Sequence, residues 1–167
     1  NHDAQVLLRY TRKFENEQEL RFNFGASFQP QTTHMDYEKN MLDTTIIRNV
    51  FNWAPRIHAR WKINQGSQMR FRYNGRMSQP SMTNLLEVMD NSNPQNVSIG
   101  NAGLESSWTN SVNLDYNAYL HERQMGWAAN ASYSTTDRSV STATIYDATA
   151  GNRYTRPMNI DGNWNTS

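Results

Sequence analysis

The stretch Glu19-Leu20-Arg21-Phe22-Asn23-Phe24-Gly25-Ala26-Ser27-Phe28-Gln29 places Leu20, Phe22, Phe24, Ala26 and Phe28 on one parity and Glu19, Arg21, Asn23, Gly25, Ser27 and Gln29 on the other. A strand turns successive side chains to opposite faces, whereas a helix would scatter both sets around its circumference. The stretch reads as a β-strand with one apolar and one polar face.

The same alternation recurs outward from it. Between Arg48 and Lys62, Asn49, Phe51, Trp53, Pro55, Ile57, Ala59 and Trp61 oppose Arg48, Asn52, Arg56, His58, Arg60 and Lys62. Between Gln68 and Ser78, Met69, Phe71, Tyr73, Gly75 and Met77 oppose Gln68, Arg70, Arg72, Asn74, Arg76 and Ser78. Between Trp108 and Leu120, Val112, Leu114, Tyr116, Ala118 and Leu120 oppose Thr109, Ser111, Asn113, Asp115 and Asn117. Between Met125 and Ser134, Met125, Trp127, Ala129, Ala131 and Tyr133 oppose Asn130, Ser132 and Ser134. Weaker patterns run from Val6 to Phe14 and from Tyr154 to Trp164. Asn74-Gly75 is a common hairpin signal, but the alternation stays in phase through it, so it reads as in-strand. Pro55 lacks a ladder donor, and a bulge is expected there.

These are about seven strands, each near or above the roughly 9–11 residues that a tilted strand needs to cross a bilayer. Globular strands average roughly 5–6 residues. The fold expected is all-β: an antiparallel meander of about seven strands, part of a large transmembrane β-barrel. Residues 1–167 read as one partial barrel domain, with both ends as cuts through a longer protein.

Composition agrees with this reading. Mean hydropathy is −0.86, and no apolar run is long enough for a membrane helix. A barrel strand shows lipid only every second side chain, so its mean stays low. Net charge is +1, with Lys and Arg dispersed, which gives no electrostatic case for nucleic acid. The absence of cysteine excludes disulfides, thiolate metal sites and a cysteine nucleophile.

Connections alternate in length. Glu15 to Gln18, Asn64 to Ser67 and His121 to Gln124 are short and polar, while Pro30 to Thr45 and Pro80 to Ser107 are long. A shorter outer loop is expected near Asp147 to Asn152. Outer-membrane barrels have short periplasmic turns and longer extracellular loops, which puts the long segments outside. Trp61 and Trp127 fall near the short turns and Trp108 far from its own, as two aromatic girdles would require.

The segment from Arg70 to Tyr116 resembles the barrel of TonB-dependent outer-membrane receptors, specifically a subgroup known as an outer-membrane β-barrel family. The resemblance lies in Arg72-Tyr73-Asn74-Gly75-Arg76-Met77-Ser78-Gln79-Pro80-Ser81, in Asp90-Asn91-Ser92-Asn93-Pro94-Gln95-Asn96-Val97-Ser98-Ile99-Gly100-Asn101, and in Leu104-Glu105. Asn93-Pro94 stands for the family's Asp-Pro, and Ala102 stands where Pro is usual. Tyr146-Asp147 and Asn159-Ile160-Asp161-Gly162-Asn163-Trp164 look like later strands of the same family. The resemblance implies a barrel of about 22 strands holding a plug domain of the same protein. It also implies a bacterial outer-membrane location, contact with membrane lipids, energy-coupled nutrient import, the TonB system as partner and a surface lipoprotein as a candidate partner.

No catalytic constellation stands out, and the chain is expected not to be an enzyme and to carry no cofactor. His2, His34, His58 and His121 lack metal-ligand spacing. Glu38, Asp43 and Glu87 read as solvated loop charges. Asn96-Val97-Ser98 and Asn130-Ala131-Ser132 fit a glycosylation pattern that has no use in a bacterial barrel. The polar face carries Arg48, Arg56, Arg60, Arg70, Arg72 and Arg76. These are lumen or plug-facing candidates: a basic wall able to hold plug carboxylates or guide an anionic solute, or simply long polar side chains in a wet interior. Asn91, Asn93, Asn96 and Asn101 in the longest loop are candidates for binding a polar ligand, or caps of its turns. Two alternatives stand beside the receptor reading: a structural or secretion-associated outer-membrane barrel, and a soluble β-sandwich binding module with one dry face.

Overall fold

In the computed structural model, residues 4–15, 17–39, 42–90, 93, 95–147 and 152–167 are described. Among the described residues, eleven strands form two sheets. The large sheet takes β1 (Ala4–Lys13), β2 (Glu19–Lys39), β3 (Leu42–Lys62), β4 (Ser67–Ser78), β7 (Ser107–Leu120), β8 (Met125–Asp137) and β11 (Asn163–Thr166), in that spatial order. Every pairing in it is antiparallel. The sheet is open, with β1 and β11 as its edges.

The small sheet takes β5 (Met89–Asp90), β6 (Asn96–Ile99), β10 (Asn152–Ile160) and β9 (Ser139–Asp147), in that order. One short helix, α1 (Met82–Leu85), precedes β5 and is capped by the Ser81 hydroxyl, which accepts from the Asn84 N–H.

The expected strands are present, and their register confirms the faces. In an antiparallel pair, directly opposed residues project to the same side. Leu8, Phe24, Ile57, Tyr73, Val112 and Tyr133 form one continuous apolar row across β1, β2, β3, β4, β7 and β8. Neither face of the large sheet carries a dry core. Phe22 is 38% exposed, Leu114 40% and Trp127 55%, whereas the buried leucines and valine (Leu85, Leu86, Val97 and Leu104) all lie between β4 and β7. A soluble sandwich packs such a face against a second sheet; here no second sheet covers it among the described residues.

The short turns gather at one end. Tyr119 donates its N–H to the Gly66 carbonyl at 2.8 Å, binding the β3–β4 turn to β7. The Gln65 amide reaches Glu17 at 3.0 Å, joining that turn to its neighbour. The third turn is a single 3-10 turn, His121–Arg123.

Four expectations change. First, Pro30 to Thr45 is not a loop: β2 and β3 pair without interruption from Glu19↔Lys62 to Lys39↔Leu42. Apolar alternation ceases there, but the ladder continues because main-chain pairing needs no apolar face. Thr32 donates to Asn49 and Thr45 to Asp36 across it. Second, Pro80 to Ser107 is not a bare loop, since it contains α1, β5 and β6.

Third, Tyr154 to Trp164 is two strands in two sheets. Gly162 turns the chain at φ +90°, and Arg138 does the same at φ +52° between β8 and β9. The β8–β11 hairpin bends at these two points, and its tip becomes β9–β10, placing β10 parallel to β6. Fourth, Pro55 makes no bulge. Ala26 stands opposite it in unbroken register, and the β3–β4 ladder ends one residue away at Arg56↔Asn74. A missing N–H is tolerated where pairing to one side stops.

Candidate functional site

The apolar face carries two aromatic belts. Near the short turns, Tyr116 and Trp127 meet edge to face at 5.2 Å, with Trp61 on the same side of the sheet. Toward the other end, Trp53 and Trp108 stack at 5.0 Å. The Asn110 side-chain oxygen accepts from the Trp108 indole N–H at 2.8 Å and from the Tyr73 hydroxyl at 2.9 Å, so the polar tips of both rings are satisfied. Trp53 and Trp61 are eight residues apart on β3, about 27 Å along a strand at ~3.4 Å per residue. A strand tilted by roughly 40° projects this to about 20 Å, close to the roughly 25 Å apolar band of an outer-membrane barrel.

The opposite face divides into two zones. On β7 and β8 it is a hydroxyl wall: Thr109 faces Thr136 at 3.0 Å and Ser111 faces Ser134 at 3.3 Å. On β2, β3 and β4 it is basic. Arg21 stands opposite Arg60, and Arg60 opposite Arg70, so three guanidinium side chains share one rung. The next rung holds Asn23, His58 and Arg72, and the one beyond it Gly25, Arg56 and Asn74. Arg76 lies further along β4, opposite Thr109.

Among the described residues, carboxylates on this face are few. Glu19 binds the Arg21 Nε at 2.5 Å. Asp115 is opposite Arg70 in register, yet its ion pair at 2.5 Å is with Arg72. The Arg60 guanidinium donates at 2.8 Å to the neutral amide of Gln68.

The structure therefore brings Arg56, Arg60, Arg70, Arg72 and Arg76 onto adjoining strands. Arg48 has the same parity but a different role: its guanidinium donates to the Leu104 carbonyl at 3.3 Å, tying the outer segment to β3. Gln79 adds a second tie, to Asn52 at 3.1 Å. Arg21 belongs with the arginine group although the candidates above omit it. Its parity in β2 carried the signal, and the missing step was the cross-strand register.

The four asparagines do not converge on one site. Asn91 lies outside the described residues. Asn93 closes a turn, its side chain accepting from the Gln95 N–H at 3.1 Å. Asn96 opens β6 and is exposed. Asn101 donates to the Pro157 carbonyl at 3.0 Å and accepts from the Gly103 N–H at 3.0 Å, locking β10 to the loop before β7. His34, His58 and His121 sit on separate elements, and His2 is outside the described residues. The side chains of Glu38 and Asp43 are outside them too, and Glu87 lies 4.0 Å from Arg156.

A two-faced sheet with aromatic belts on the apolar side is the geometry of a membrane-spanning barrel wall. The family model of the outer membrane protein beta-barrel family matches residues 3–167. The chain belongs to this family. No curated protein and no solved structure matches the chain. As an outer-membrane β-barrel protein it resides in the bacterial outer membrane. In outer-membrane barrels an apolar face of this kind meets lipid, a polar face lines the lumen, and short turns are periplasmic.

Proposed function

We propose that this outer-membrane β-barrel protein is a TonB-dependent receptor and that the chain forms part of its barrel wall, serving energy-coupled import of a nutrient. The observation that carries the reading is the ordered outer unit. The segment between β4 and β7, paired with β10, is tied through Arg48 and Gln79 to lumen-facing positions of β3. A packed unit braced against the inner wall narrows the mouth. This suits a receptor, because capture outside must precede passage.

In this reading the wall provides a rigid polar conduit and performs no covalent chemistry. A plug domain of the same protein fills the lumen, the TonB system pulls it from the periplasm, and a surface lipoprotein assists capture. The strand-loop-strand order from Arg72 through Leu104-Glu105 supports the assignment.

The test is nutrient growth profiling of a strain lacking this protein beside one lacking the TonB system. The expected result is loss of growth on the same nutrient in both. Unimpaired growth of the first strain on all nutrients, with loss of an exported protein or of envelope integrity, would replace import with a secretion-associated or structural barrel.

A further inference from the structure

On β2, β3 and β4 the sheet aligns Arg21, Arg60 and Arg70 as direct cross-strand partners. Directly opposed side chains in antiparallel strands have Cβ atoms about 5 Å apart, and like charges so placed repel. Alternatives were sterically open: the hydroxyl pairs on β7 and β8 show that uncharged side chains satisfy the same face.

Internal compensation is incomplete. Glu19 neutralises Arg21, and Asp115 neutralises Arg72. Among the described residues no carboxylate forms an ion pair with Arg60 or Arg70: Asp115 stands opposite Arg70 in register but is engaged by Arg72, and Lys62 adds a further cation opposite Glu19. An open cleft of about 260 Å³ lies over Glu19, Arg21, Arg60 and Lys62. Planar guanidinium groups suit carboxylate and phosphate oxygens because they donate two parallel N–H bonds.

We propose that the Arg21–Arg60–Arg70 rung is an oxyanion-binding site on the periplasmic half of the lumen wall. It takes carboxylate or phosphate groups. The oxyanion comes either from a free solute or from acidic side chains of a segment of the same protein seated in the lumen. The site depends on the orientation of this face alone and stands whether or not import is TonB-coupled.

The experiment uses the whole protein in outer-membrane vesicles at low salt. A fluorophore is placed through Asn23→Cys, on the neighbouring rung and the same face. This chain has no cysteine of its own to compete. Quenching by iodide is compared with quenching by neutral acrylamide, in the parent and in Arg60→Gln/Arg70→Gln. A second label at Ser132→Cys, on the hydroxyl-rich part of the lumen face, reports whether the variant barrel is intact, and Arg60→Lys/Arg70→Lys restores charge.

A free-solute site predicts an iodide-to-acrylamide ratio roughly threefold or more above the Ser132 value, reduced by inorganic phosphate and lost in the Gln pair. A site filled by the protein's own carboxylates predicts exclusion of both quenchers in the parent and a rise in acrylamide quenching in the Gln pair. In both cases the Lys pair behaves as the parent. Identical quenching by both agents in parent and Gln pair, with the Ser132 label unchanged, overturns the proposal.

Discussion

The indole of Trp108 lies over the α-carbon of Gly75. A methyl group at Gly75 would come within 2.6 Å of Trp108 Cζ2 and 2.8 Å of Pro55 Cγ. Glycine therefore occupies the middle of β4 because a ring covers it, and Trp108 in turn stacks on Trp53. Gly75→Ala is expected to destabilise the barrel by about 1–3 kcal/mol through overpacking. Much of that loss should disappear in a Trp108→Ala background, leaving the Pro55 contact. Urea unfolding of the barrel in lipid vesicles, carried out as a double-mutant cycle, checks this.

The Gly66 position is stricter. A Cβ there would stand 2.1 Å from the Tyr119 carbonyl oxygen, against backbone and not a mobile side chain. Gly66→Ala should break the Tyr119-to-Gly66 hydrogen bond and cost about 2 kcal/mol or more. Hydrogen exchange at the Tyr119 amide, accelerated in the variant, is the direct readout.

Parity on β7 separates neighbouring residues sharply. Val112 lies on the apolar face midway between the aromatic belts, while Asn113 lies on the polar face. Val112→Arg should cost about 2–4 kcal/mol, and Asn113→Arg roughly nothing. The same vesicle unfolding assay compares them. Equal costs would mean that the assignment of faces is wrong.

Asn159 holds the bend in the β8–β11 hairpin. Its amide nitrogen donates to the carbonyls of Arg138 (2.7 Å) and Glu105 (3.1 Å), and its oxygen accepts from the Glu105 N–H at 2.9 Å. Asn159→Ala leaves three main-chain groups without this partner. Faster exchange and protease cleavage are expected around Glu105 and Arg138, with barrel unfolding unchanged within about 0.5 kcal/mol.

The Arg72–Asp115 pair joins β4 to β7 on the polar face, with both side chains partly exposed (49% and 26%). Its contribution to stability is expected to be at most about 1 kcal/mol. Asp115→Asn removes a negative charge beside the arginine rung, so its clearer effect should be stronger iodide quenching at a label on Asn23.

The membrane half of this fold was legible from Leu20, Phe22, Phe24 and their counterparts, because lipid on one side and water on the other impose alternation on every strand that crosses. The signal fades at Gln31-Thr32-Thr33-His34, where neither parity is apolar and a strand looks like a loop. The bends at Arg138 and Gly162 were not legible either. Alternation resumed in phase across Asp161-Gly162, and only Gly162 hinted at a break.

The β6–β10 pairing depends on register between segments far apart in the chain, which no local pattern encodes. The arginines were visible as a set by parity, but not the rung. That Arg21 meets Arg60, and Arg60 meets Arg70, follows from turn lengths that fix register.

The parallel ladder of β6 with β10, from Asn96↔Arg153 to Ser98↔Thr155, has a consequence for the order of assembly. Each antiparallel neighbour in the large sheet, from β1 to β8, closes across a turn or a single segment. β6 must wait until β7, β8 and β9 have been laid down and the chain has returned. Long-range contacts form slowly because loop closure precedes any gain from pairing. The outer unit is therefore expected to mature after the β1–β8 part of the wall. The consequence expected is an interval in assembly when the β1–β8 wall is paired while the mouth is unfinished.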